Sequence, residues 1–271
     1  MKKVISGTLL AILAISVSQL VAFLISTLFP QYAIRQAIIA IIYPATCLFL
    51  VQLLSRRYFH KDFHFLLGNR NSLKPIWLFV SLLLPTGVFA FYLLIGGKIY
   101  LNQGIIMNDL FIHSILVGGI AVAFAEELVF RGFLQKLFQD RFGLGVACLI
   151  PSFIFATLHL FNGKLDLIET FLLLVAGTSV GTMFALIRIE SHSLLNSWIL
   201  HVAWNSMTSL IAIGTINNPE TIATLILPSS TPLLTGGQYG VDITLPAMLG
   251  YLLVAGFAWR KIGNVIKEDL S

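Results

Sequence analysis

The long apolar runs decide most of what this chain can become. Eight blocks of about 16 to 26 residues are separated by short polar stretches: approximately Val4 to Phe29, Ala37 to Leu54, Ile76 to Ile95, Leu110 to Ala125, Leu144 to Leu160, Leu167 to Ile187, Leu194 to Ile213 and Leu245 to Trp259. That is the length an α-helix needs to cross the hydrocarbon of a bilayer. Charged residues make up only 11% of the 271 and the mean hydropathy is +0.90, against about 25% charged in an ordinary soluble domain. The expectation is an all-α polytopic membrane protein of about eight transmembrane helices, forming a single transmembrane domain over 1–271. The first block follows Lys2 and Lys3 and runs for 26 residues, beyond the roughly 7 to 15 of a signal-peptide core, so it is expected to be retained as a span. The longest polar stretches, Ser55 to Lys74 and the Gly/Pro/Thr-rich Asn217 to Gly240, read as loops.

Basic residues in the loops set an orientation. Fourteen lie on one face (Lys2, Lys3, Arg56, Arg57, Lys61, Arg70, Lys74, Arg131, Lys136, Arg141, Arg188, Arg260, Lys261 and Lys267) and three on the other (Arg35, Lys98 and Lys164). The positive-inside rule then places both termini and the 55–74 loop in the cytoplasm, with the chain in the cell membrane and the Asn217 to Gly240 loop outside. The net charge of +5 reads as topology and contact with anionic lipid, not as nucleic-acid binding. Cys47 and Cys148 both sit inside apolar blocks, which argues against a disulfide framework or a cysteine metal site. No internal repeat is visible, as an inverted-repeat transporter would require. Pro151 should kink the fifth helix, and Gly118, Gly119, Gly177 and Gly181 should let helices approach closely.

Ionisable side chains inside such blocks are the functional signal, because a charge at the bilayer centre costs about 2.5 to 3.5 kcal/mol on insertion scales and needs a partner or a purpose. Three clusters stand out. Glu126, Glu127 and Arg131 close the fourth block, with Glu127 and Arg131 at i and i+4 and therefore able to pair, while Glu126 is rotated onto a neighbouring face. The plainer alternative is a solvated ion pair at a helix end. Phe155 and His159 stand at i and i+4 in the fifth block, the histidine among Phe153, Leu158, Leu160 and Phe161. His201 and Asn205 repeat that spacing in the seventh block, on one stripe that must face protein or water. Each histidine alone could be a hydrogen-bonded packing residue. A single pocket would satisfy all of them, and a carboxylate, two imidazoles and an amide supply what peptide hydrolysis needs: a base for water, donors for an oxyanion, and a potential metal set.

The order Glu-Glu-x-x-x-Arg (Glu126, Glu127, Arg131), Phe-x-x-x-His (Phe155, His159) and His-x-x-x-Asn (His201, Asn205) resembles the CPBP intramembrane protease family. That family includes the type II CAAX prenyl endopeptidases and the bacteriocin-processing and self-immunity (Abi) proteins. The resemblance implies a motif-bearing core at about 110–213 and a water-filled intramembrane cavity. In it Glu126 and His159 would activate a water, His201 and Asn205 would stabilise the oxyanion, and Glu127, Arg131 and Phe155 would support the site. The family is classed among metalloproteases, so Glu126, His159 and His201 are also the expected ligands of a Zn²⁺ ion, although no His-Glu-x-x-His run is present.

For Glu126 to meet His159, the fourth helix should continue through Arg131 towards Phe138, and the fifth should be kinked and oblique. The expected substrate is a peptide or a membrane-protein segment. Two other readings compete: a non-catalytic immunity or scaffold protein that uses the cavity only for binding, and a proton-coupled transporter, since Glu and His also form relays.

Overall fold

The computed structural model describes residues 1–69, 72–214 and 221–268, apart from the side chains of 162 and 264–268. Arg70, the Lys267 side chain and 217–220 of the expected outer loop lie outside the described residues. Among the described residues, six helices are long and apolar enough to cross a membrane. They are α1 (Lys2–Ser26), α2 (Tyr32–Phe59), α3 (Pro75–Leu94), α4 (Met107–Phe142), α5 (Leu144–Phe161) and α6 (Leu167–Ser191). The chain is thus a polytopic, all-helical membrane protein. Two more helices, α7 (Leu194–Leu210) and α8 (Leu245–Glu268), fall in the remaining expected blocks. They are not among the six, α7 being only 17 residues long, so the expected eight spans are not carried by length and apolarity alone.

Two block boundaries change. The fourth helix continues past the block edge at Ala125 and through Arg131, as a meeting of Glu126 with His159 requires, and spans 36 residues to Phe142. Leu128, Val129, Phe130, Phe133, Leu134 and Leu137 keep it apolar and buried, and Gly143, at φ +80°, ends it. Glu126 therefore sits in mid-helix, between two π-helical stretches, Ile112–Val122 and Leu128–Leu134. The seventh block was expected to stay helical to Ile213, but α7 stops at Leu210 and Ile211–Ile213 is a strand, β2.

That strand belongs to a three-stranded sheet of order β1-β3-β2, in which β3 (Ala223–Ile226) pairs antiparallel with β1 (Lys98–Leu101) and parallel with β2. Buried Asn102 pins it, donating from Nδ2 to the carbonyl and hydroxyl of Thr221 at 3.0 and 2.8 Å.

Two cores share the work of packing. One joins α1, α2, the second half of α4 and Phe155. The other joins α3, α6, α7 and α8. Small residues close the seam between α5 and α6: a Cβ added at Gly177 or Gly181 would lie 2.7 or 2.6 Å from the Cβ of Ala156 or Ser152, well inside van der Waals contact.

Candidate active site

The expected residues converge on this seam. Glu127 and Arg131 are buried, at 0% and 2% side-chain exposure, with Oε1 and Nη1 3.1 Å apart, which replaces the picture of a solvated helix-end pair with an internal one. The guanidinium also lies over the rings of Phe155 (4.7 Å) and Phe184 (5.0 Å), so its flat faces meet π-clouds instead of hydrocarbon. The second oxygen of Glu127 has no hydrogen-bond partner, but Oε1 also accepts from Nδ1 of His201 at 3.1 Å. The His201 ring stacks on Phe184 at 4.5 Å and 19°. Glu127 thus fixes both a cation and an imidazole.

His159 begins the 3-10 turn that closes α5, and its Nδ1 lies 2.8 Å from the carbonyl oxygen of Phe155. Its ring is partly exposed and Phe153 and Phe161 point outwards, so the apolar nest expected around it is open on one side. A carbonyl and a carboxylate only accept, so a neutral imidazole at either position carries its proton on Nδ1 and presents a bare Nε2. Both Nε2 atoms turn to Glu126: His159 Nε2 is 3.8 Å from Oε1 and His201 Nε2 is 3.5 Å from Oε2. Lone pairs face lone pairs across gaps longer than a direct hydrogen bond. Such an arrangement is satisfied by something that brings protons, and a water fits it.

Glu126, Phe155, His159, His201 and Asn205 all line one cavity of about 400 Å³. Asn205 donates one Nδ2 proton to the Gly118 carbonyl at 3.1 Å, which leaves the second proton of that amide for a ligand. Among the described residues, no three His, Cys, Asp or Glu side chains form a group that could hold a metal ion. The donor chemistry of Glu126, His159 and His201 suits zinc.

The cavity also holds residues that no motif announced. Asp242, from the turn before α8, lines it beside Trp204, Tyr239 and Tyr251. Trp204 Nε1 donates to Asp242 Oδ1 at 2.5 Å and the Tyr251 hydroxyl donates to the Asp242 carbonyl at 3.1 Å. Burial pushes the Asp242 carboxyl above its ordinary value, although the Trp204 N–H and the nearby His159 and His201 pull the other way. Trp204 was visible as one turn beyond His201, but Asp242 lies in a loop without periodicity.

Residues 108–207 match the family model described as Type II CAAX prenyl endopeptidase Rce1-like. The match contains all seven motif residues and overlaps most of the expected core at about 110–213. It is consistent with the CPBP resemblance, and over these residues the chain is similar to a family of proteases. Comparisons with curated proteins and with solved structures gave no match.

Proposed function

We propose that this chain is an intramembrane endopeptidase that hydrolyses a peptide bond in or beside the bilayer by a glutamate-activated water. The observation that carries the reading is the pair of imidazole Nε2 atoms turned on the Glu126 carboxylate, 3.5 and 3.8 Å away, inside the helical bundle. A water touching Glu126 and His159 gives its proton to the Glu126 carboxylate as its oxygen attacks the substrate carbonyl carbon. The carbonyl oxygen becomes an oxyanion, which takes a hydrogen bond from the free Nδ2 proton of Asn205. His201 stands on the same face, its ring held by the Nδ1 hydrogen bond to Glu127, and orients the substrate beside Glu126. The proton held by Glu126 then passes to the leaving nitrogen as the C–N bond breaks, giving a carboxylic acid and an amine.

Support for this reading also comes from the Rce1-like match over 108–207. The test uses purified protein in detergent with a panel of quenched peptides. Glu126→Gln and His159→Ala should each lower turnover by about 10²- to 10⁴-fold, with the variants still folded. A chelator arm reads metal dependence directly. Undiminished function in Glu126→Gln would instead support the binding-only immunity or scaffold reading.

A further inference from the structure

The cavity lies off-centre, and the direction of its displacement matters. Basic residues cluster at one end of the bundle: Lys2 and Lys3 open α1, Arg56 and Arg57 close α2, Lys74 precedes α3, Lys136 and Arg141 close α4, Arg188 closes α6. Contacts tie these ends into a single face, since Glu190 of α6 lies 2.9 Å from Lys74 and 3.9 Å from Lys261, and the Leu66 carbonyl accepts from Arg188 at 3.3 Å. Arg131 drops out of the count because it is internal, which leaves, among the described side chains, eleven basic residues on this face against three on the other. A bias of that size marks the cytoplasmic side.

The cavity reaches mid-helix on α4, at Glu126, and Phe184 on α6, but on the other helices that build it the lining lies towards the opposite end. Gln19 is late in α1, His159 is in the last turn of α5, Leu173 is early in α6, and Ser209 is in the last turn of α7. Asp242 and Tyr251 come from the loop and first turns before and within α8, on the side that carries the small sheet. His159 stands about 22 Å along α5 from Leu144, at about 1.5 Å per residue, so it lies far from the cytoplasmic end of that helix.

We propose that the cavity is entered from the extracytoplasmic side, and that its substrate is a secreted or translocated peptide segment presented there, not a cytosolic C-terminus. The substrate half of this inference rests on the endopeptidase reading. The access half does not.

Replacing Cys47 and Cys148, the two cysteines, with Ala gives a background for two single-cysteine proteins, Ser209→Cys in the cavity and Lys136→Cys on the basic face. Each is treated with a membrane-impermeant maleimide in sealed right-side-out and inverted vesicles. Ser209→Cys should react in right-side-out vesicles and Lys136→Cys only in inverted ones. Ser209→Cys reacting only in inverted vesicles, or in neither, overturns the proposal, as does Lys136→Cys reacting from outside. Impermeant quenched peptides added to the same two preparations of wild-type protein separate the two readings. Cleavage by inverted vesicles alone defeats the proposed side while keeping the peptidase. Outward labelling with no cleavage in either preparation defeats the peptidase while keeping the access.

Discussion

Glu127→Gln tests how the interior charge is held. The change swaps one oxygen for an amide nitrogen, with almost no change in volume, but it removes the carboxylate that, among the described residues, pairs with Arg131, whose side chain is 2% exposed. Stripping a buried ion of its partner costs about 3–5 kcal/mol. The retained amide oxygen can still accept from Arg131 or His201, so the lower end, about 3 kcal/mol, is expected. At about 2–4 °C per kcal/mol for a chain of this size, the unfolding midpoint in detergent should fall by about 6–12 °C.

Adding Arg131→Met removes the stranded cation and places a flexible apolar chain between Phe155 and Phe184. The double variant should therefore recover at least half of the lost stability, as charge-free replacements of buried pairs do. Activity should not return with it, because His201 Nδ1 still lacks its carboxylate. A single variant as stable as wild type, or a double variant no more stable than Glu127→Gln, would refute the view that this pair is an interdependent buried couple.

Other expectations follow from the same geometry. Gly177→Leu must push α5 from α6, since even a Cβ there meets Ala156 at 2.7 Å; a loss of about 1–3 kcal/mol is expected, with peptidase activity falling by more than the folded fraction because His159 is displaced. Circular dichroism melts together with turnover per folded molecule check this. Asp242 has a folded-state value raised chiefly by burial, so its contribution is fully present below the ordinary carboxylate range and is lost as pH rises through the raised value. Asp242→Asn, which keeps an acceptor for Trp204, should flatten the decline in melting temperature between acid and neutral pH; parallel wild-type and variant profiles would count against the assignment.

Some of this was legible in the sequence and some was not. The pairing of Glu127 with Arg131 follows from one helical turn of spacing, and the stripe of His201 and Asn205 likewise reaches the cavity as spacing requires. The fourth helix was harder to delimit. Its charges resemble a loop boundary until their internal partners are known, and only the need for Glu126 to meet His159 indicated that it should continue. The end of α7 had no such marker, because Ile211 and Ile213 are as apolar as a helix would be. They become a strand only because β3, from a distant loop, offers them a partner. Asp242 depends on tertiary placement alone, as Trp204 and Tyr251 recruit it from different helices.

The widened turns of α4 carry a consequence of their own. Ile112–Val122 and Leu128–Leu134 wind with i to i+5 bonding on either side of Ala123–Glu127, so the azimuth of Glu126 is set by residue number as much as by residue identity. Excising one residue upstream would tighten the coil and swing the carboxylate about 100° around the helix axis, away from His159, without altering a single motif letter. Relatives can therefore retain every signature side chain and still be silent, and the length of that stretch is the feature to compare before activity is inferred from the letters.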